Sequence, residues 1–206
     1  FSAPRRHDRV CDLGTGTGII PLLLYARENT ISADAVEIQP DMADMAARSM
    51  AMNGLNEKIR VLPGDLRSIR TLLPHARYDL VTCNPPYGKA GGTLLNPDAS
   101  KRLARHEESC AIEDVACAAA WLLQNGGRLC CVFPAARMIE LSDAMRKYRM
   151  APKRIRMVHS RVEKAAHLCL MEGMLDARPG LIIEPPLVIY DENNAYTPEL
   201  RRIYGL

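Results

Sequence analysis

Asp12-Leu13-Gly14-Thr15-Gly16-Thr17-Gly18 decides how this chain is read. The stretch lies between a strand-like piece, Arg9 to Leu13, and Ile19 to Arg27, which reads as a buried helix. Glycines at such a junction permit positive φ angles and let a ligand approach the backbone closely. Ligands of open α/β sheets bind at the carboxyl ends of strands, so the position suits a cofactor. A dinucleotide fingerprint would need a glycine at position 19, which is Ile19, and the Gly-Lys-Ser/Thr ending of a Walker loop is missing. What remains is Gly-x-Gly-x-Gly with an acid two residues ahead. Asp12 would repel a pyrophosphate but not a cation. S-adenosylmethionine, with a sulfonium and an ammonium, carries the fitting charge. A glycine-rich turn that binds nothing is the alternative.

Working outward, strand-like and helix-like segments alternate. Ala33 to Ile38 is a second strand, and Pro40 to Asn53 is helical, with Pro40 in the first turn and Gly54 as its stop. Ile59 to Leu62 and Tyr78 to Cys83 read as strands three and four. Ile112 to Gln124 is a helix closed by Gly126 and Gly127, Arg128 to Phe133 a fifth strand, and Ala135 to Tyr148 helical. This alternation predicts an α/β domain with a parallel sheet covered on both faces. Ile155 to His159 and Leu168 to Met174, joined only by the polar turn Ser160 to Ala166, are expected to pair antiparallel. A short apolar piece and polar residues follow Pro185. The longest loop candidate, Gly88 to Arg105, has a length usually seen in functional or disordered segments.

The 206 residues make one domain, and the missing initiator Met leads us to expect that its natural start lies upstream of Phe1. With 48% hydrophobic and 25% charged residues, a disordered or fibrous chain is excluded. The longest apolar run, Val115 to Leu123, has nine residues, where a membrane helix needs about 20. No secretory signal opens the chain. Seven scattered cysteines without Cys-x-x-Cys read as reduced thiols of a cytoplasmic protein, and no Cys/His cluster has metal-ligand spacing. Net charge is only +3, but Arg137 to Lys164 holds nine Lys/Arg and three acids, a balance of +6. That segment is either a solvated helix face and loop or a patch for a phosphate backbone.

Acids recur at the following strand ends. Glu37, 19 residues after Gly18, can accept both ribose hydroxyls of a nucleoside. Ile38 beside it can cover an adenine face. Asp65, after Gly64 and before Leu66, is placed to accept from an adenine amino group. The cofactor-binding set is therefore Asp12, Gly14, Gly16, Gly18, Glu37, Ile38, Asp65, Leu66 and Asn84. Strand four leads into Asn84-Pro85-Pro86-Tyr87, which is a proline turn at least and a candidate catalytic set. An exocyclic or amide nitrogen is a weak nucleophile because its lone pair is delocalised. The Asn84 side-chain oxygen and the Pro85 carbonyl can accept its two hydrogens, Pro86 stiffens the turn, and Tyr87 offers a stacking face.

On these residues the sequence resembles the class I S-adenosylmethionine-dependent methyltransferases. Asp12 to Gly18 is similar to their motif I, and Asn84 to Tyr87 to motif IV of the amino-group branch. Val36-Glu37-Ile38-Gln39, Gly64-Asp65, Ala104-Arg105-His106-Glu107 and Ile203-Tyr204-Gly205, in that order, resemble the bacterial tRNA adenine-N6 methyltransferases that modify valine tRNA beside the anticodon. The resemblance implies a Rossmann-like fold, with a mostly parallel seven-stranded sheet and an antiparallel C-terminal hairpin. It also implies S-adenosylmethionine as cofactor, tRNA as substrate, and no metal or membrane partner. Phosphate contacts are expected from the basic segment, Arg5, Arg6, Lys101, Arg102 and Arg105. The same Asn-Pro-Pro-Tyr also serves glutamine-N5 methyltransferases of release factors, with variants in guanine-N2 ribosomal RNA methylases. A non-enzymatic RNA-binding module is a third reading. Two departures stand out: the family's aromatic-rich segment ahead of motif I is not in this chain, and Lys164-Ala165-Ala166-His167 replaces an expected Lys-Glu-Ala-Asn. Met42, Met45, Met50 and Met52 read as core packing or a lipophilic flank, and Trp121 as core.

Overall fold

The computed structural model describes residues 1–85 and 111–206. Pro86, Tyr87, the 88–105 loop candidate, His106 and Glu107 lie outside the described residues. Seven long strands form the sheet: β1 (Arg9–Leu13), β2 (Ser32–Glu37), β3 (Ile59–Pro63), β4 (Tyr78–Cys83), β5 (Leu123–Pro134), β6 (Met150–His159) and β7 (Leu168–Leu175). Two more, β8 (Ile182–Ile183) and β9 (Leu187–Val188), have two residues each and pair parallel to the outer edge of β6. Among the described residues the sheet is therefore nine-stranded, in the order β3-β2-β1-β4-β5-β7-β6-β8 with β9 also on β6. The two extra strands are too short to show a period of two, so the expected seven strands are the long ones. β7 runs antiparallel to β5 and β6, as expected for the C-terminal hairpin.

Helices α1 (Ile19–Arg27) and α2 (Pro40–Met52) accompany one half of the sheet. Helices α3 (Ile69–Leu72), α4 (Ile112–Leu122) and α5 (Met138–Lys147) accompany the other, and α6 (Pro198–Tyr204) closes the chain. Successive strand residues point to opposite faces, and the core divides accordingly. Cys11, Leu13, Val81 and Cys83 pack with Val115, Ala119 and Leu141 of α4 and α5. Val10 and Leu80 pack with Leu24 of α1 and Met50 of α2. The adjacent Cys130 and Cys131 face opposite layers for the same reason. All described cysteines are free.

Boundaries shift where packing overrides local pattern. Helix α4 ends at Leu122, and β5 starts at Leu123 because that residue already pairs with Tyr78 of β4. Strand β6 begins at Met150, ahead of the expected Ile155, and tolerates Pro152 at a register shift. The polar tail contains α6, which the apolar pattern does not reveal. Thr197 accepts from the Leu200 amide as N-cap and Pro198 occupies the first turn, a start signal readable in principle. Of the methionine stripe only Met50 is core, whereas Met45 is 45% and Met52 88% exposed. Trp121 is half-buried at the rim, donating its indole N–H to the Leu73 carbonyl at 3.1 Å.

The basic segment is not a free patch. Arg137 pairs with Glu140, Lys147 with Glu113, Arg149 with Asp176, Arg154 with Glu172 and Glu184, and Arg156 with Glu199. Most of these carboxylates come from outside the 137–164 window, so a charge sum along the sequence overstates the local field. Arg5 and Arg6 precede β1 and lie at the amino-end edge of the parallel strands.

Candidate active site

Parallel register aligns the strand tips. Leu13 pairs with Val36 on one side and with Cys83 on the other, and Val36 pairs with Leu62. One residue further on, Gly14, Glu37 and Asn84 emerge together from the carboxyl edge of the sheet. The chain runs outward from β1 through β2 to β3 and then returns to β4 on the other side of β1. The tips thus flank a topological switch point, the usual crevice for a ligand in such sheets.

The glycine turn is anchored from β2. The Gly14 and Thr15 amides donate to the Val36 carbonyl at 2.9 and 3.0 Å. The Glu37 carboxylate, 4% exposed, accepts from the Gly16 amide at 2.8 Å and the Gln39 amide at 2.9 Å. The Glu37 carbonyl accepts from Gly64 at 2.8 Å. One residue therefore links the turns after β1, β2 and β3. Gly14 and Gly16 have φ of +68° and +57°, and a Cβ on either would meet nothing within 4 Å. Open space above bare backbone is what a closely held ligand requires. Gly18 serves packing instead. A Cβ there would lie 2.6 Å from Met50 Cε and 3.2 Å from Ala46 Cβ, so its glycine lets α1 approach α2.

Asp12 is fully buried, and its Oδ1 accepts from the Thr82 hydroxyl of β4 at 2.6 Å. Its Oδ2 is buried without a hydrogen-bond partner, as is the Thr15 hydroxyl. Burial is the main reason its pKa rises from 3.8 to about 6, the Thr82 and Thr15 hydroxyls opposing the rise and the Glu37 charge adding to it. A buried carboxylate oxygen with no donor costs free energy until a cation or donor reaches it. The donor set therefore fits a cationic, hydroxyl-bearing ligand. Thr82 and Thr15 are site residues that sequence reasoning missed. Neither carries a local signal: Thr82 lies beside Asp12 only through the parallel register of β1 and β4.

The remaining site residues fall around the same crevice. Ile38 is 40% exposed, a side chain available to cover a flat ring. Asp65 caps a 3₁₀ turn, Leu66–Ser68, accepting from the Arg67 amide at 2.9 Å, and pairs with the Arg67 guanidinium, which holds its carboxyl below the usual range. Leu66 is half-buried against the core and supports that turn. Asn84 is exposed and Pro85 buried at the tip of β4. Among the described residues no group of three or more His, Cys, Asp or Glu is disposed to hold a metal, and no helix is long and apolar enough to cross a membrane.

Residues 2–154 match the family model described as the methyltransferase small domain. A Tolumonas auensis protein named tRNA1(Val) (adenine(37)-N6)-methyltransferase is 35% identical over 195 residues, covering 93% of this chain and 78% of its own. A Porphyromonas gingivalis protein of the same name is 31% identical over 199 residues, covering 93% and 76%. Among solved structures, one from Agrobacterium tumefaciens, described as a predicted O-methyltransferase, superposes with a TM-score of 0.81 at 23% identity, covering 100% of this chain and 92% of that one. A methyltransferase from Aquifex aeolicus gives a TM-score of 0.60 at 15% identity, covering 83% and 84%. At these identities the two structures establish the shared fold.

Proposed function

From the premise that the chain belongs to the methyltransferase small domain family, we propose that it methylates N6 of an adenine in tRNA beside the anticodon, with S-adenosylmethionine as donor. The observation that carries this reading is the juxtaposition of Asn84 with the glycine turn and the unsatisfied Oδ2 of Asp12 on one crevice. The activity named for the relatives at 31% and 35% identity narrows the acceptor to adenine N6.

In this reading Asp12 provides negative charge for the cationic part of the donor, Glu37 accepts its ribose hydroxyls, and Asp65 accepts from its adenine amino group. Ile38 covers that ring. When bound, the donor supplies an electrophilic methyl group on a sulfonium and leaves as the neutral thioether. The target adenine is turned out of its stack into the crevice. The Asn84 side-chain oxygen and the Pro85 carbonyl accept the two N6 hydrogens, so the nitrogen lone pair leaves conjugation and points at the methyl carbon. Tyr87, outside the described residues, is assigned the stacking face. The methylated nitrogen is acidic and gives one proton to solvent, so no strong base is needed beside it. Catalysis is mostly alignment, worth several kcal/mol when reacting atoms are held in line. The cytoplasm, where tRNA and reduced thiols coexist, is the compartment that fits.

Incubation with methyl-labelled donor and, separately, total tRNA, ribosomal RNA or a release factor tests the reading. Labelled N6-methyladenosine in tRNA is expected. Label recovered as N5-methylglutamine in the release factor, or as N2-methylguanosine in ribosomal RNA, would overturn it.

A further inference from the structure

Three tyrosines form a ladder at the C-terminal end of the chain. The Tyr190 and Tyr196 rings stack with centroids 5.6 Å apart and planes 24° apart, and Tyr204 of α6 follows at 5.8 Å from Tyr196. All three stay open to solvent, at 38%, 39% and 62% exposure for Tyr190, Tyr196 and Tyr204. An antiparallel bridge between Tyr190 and Tyr196 orders that pair, yet each of the three residues keeps more than a third of its surface in solvent.

Topology puts this ladder on the functional edge. β6 is antiparallel to β7, which is antiparallel to β5, so β6 runs in the direction of β4. β9 is parallel to β6, and beyond it the Tyr190 amide bonds the Ser160 carbonyl at 2.9 Å. Tyr190 therefore projects past the carboxyl ends of the strands, the edge from which Asn84 emerges. Across the sheet, β4-β5-β7-β6-β9 is four strand steps, on the order of 20 Å.

Charge around the ladder differs from the rest of the basic segment. Arg161 bonds neutral acceptors, the Asp191 carbonyl and the Asn194 side-chain oxygen. Arg201 bonds the Tyr196 carbonyl at 3.1 Å. Among the described residues no carboxylate is ion-paired with Arg161, Arg201 or Arg202, whereas the arginines of β6 are paired with glutamates. A cavity of about 660 Å³ opens beside Tyr190, lined by Arg161 and Thr197 and also by Glu163, Asp191 and Glu192. Asp191 Oδ1 accepts from the Asn193 and Ala195 amides at 2.9 Å and holds the turn, so Glu163 and Glu192 are left to meet the hydrogen-bonding edge of a base and the arginines to meet phosphates.

We propose that Tyr190, Tyr196 and Tyr204 are a stacking platform for unpaired nucleotides of the RNA substrate that flank the flipped base. The proposal rests on the tRNA reading for its ligand and deepens it by adding a second contact region. Stacking of a base on an aromatic ring is sequence-tolerant, so the platform would hold the loop while the Asn84 crevice selects the base.

The test is affinity for a purine-rich single-stranded RNA oligonucleotide, measured over a salt series, with tRNA methylation followed in parallel. The double variant Tyr190→Leu with Tyr204→Leu keeps apolar bulk and removes two ring faces. At least ~5-fold weaker binding is expected, since one base stack spans roughly 5- to 150-fold, and the salt slope should be unchanged because phosphate contacts remain. The matching double Phe variant should bind as the parent does, which a role of the hydroxyls in folding would not allow. Parent-like binding by the Leu variant overturns the platform, and tRNA methylation by the parent then leaves the functional reading standing. RNA binding that needs the ladder, in a protein that methylates no tRNA, keeps the platform and removes that reading. A protein that binds no RNA and methylates only a polypeptide overturns both, with the ladder left as a protein-docking face.

Discussion

Asp12 has one oxygen bonded to Thr82, while the other makes no well-formed hydrogen bond and has the buried Thr15 hydroxyl as its polar neighbour. Its folded pKa of about 6 lies above the ordinary 3.8, so the folded protein holds the proton more tightly than the unfolded chain does. Ionisation of this group costs stability; that cost is absent below the unfolded value and complete above about 6. A cationic ligand reverses the preference, because it binds the ionised form. Donor affinity measured by calorimetry should therefore strengthen as pH rises through about 6, and Asp12→Asn should bind weakly with that dependence removed. In the proposed reaction Asn84 is assigned to the other partner. Asn84→Ala is expected to lower turnover at least about 100-fold, ~2.7 kcal/mol of barrier, with donor affinity nearly unchanged; single-turnover kinetics beside calorimetry separates the two. Asp12, Glu37 and Asn84 were legible as candidates because acids and an amide at the ends of strand-like pieces have few other reasons to recur. Thr82 was not, since its meaning depends on a neighbour 70 residues away.

At the scale of elements, alternation of strand and helix was readable up to β5, where each piece is long enough to display its period. Legibility ended where pairing partners decide. Leu123 looks helical because its neighbours 115–122 are, yet pairing with Tyr78 draws it into β5. β8 and β9, at two residues each, exist only because the edge of β6 offers unpaired backbone groups. The glycines of the first turn look equivalent in sequence and are not. Gly18 holds α1 and α2 together, with φ at +83° and Met50 and Ala46 in the way of any side chain. Gly18→Ala should lower thermal stability by roughly 1–3 kcal/mol through overpacking. Gly14→Ala, at φ +68° but with open space around it, bears the backbone strain without the clash, so it should lose less melting temperature than Gly18→Ala and more donor affinity. Thermal unfolding with and without donor distinguishes them.

Across the whole molecule, a buried ionic knot joins the start of the chain to its last long strands. Arg128, 6% exposed, bonds Asp8 at 3.2 Å and Glu172 at 3.5 Å, and Arg154 reaches the same Glu172 at 3.2 Å. Its net contribution is smaller than its parts, but losing the central cation leaves buried Asp8 with the Arg5 amide and no cation, and Glu172 with Arg154 as its remaining cation. Arg128→Ala should cost about 3–5 kcal/mol, read by denaturant unfolding, and more than Arg137→Ala, whose surface pair is worth ~0.2–1 kcal/mol. Composition along the chain could not disclose this arrangement, since Asp8 and Arg128 meet only through the sheet.

The parallel order of β1 to β5 also gives the molecule a front and a back. Asn56, Glu57 and Lys58 precede β3 and are exposed on the rim opposite Asn84 and the tyrosines, beside the Asp34, Arg60 and Tyr78 cluster. A bead or sensor chip coupled at Lys58 would hold the protein by its back. The working rim would then face the liquid, and immobilised molecules would be uniformly oriented.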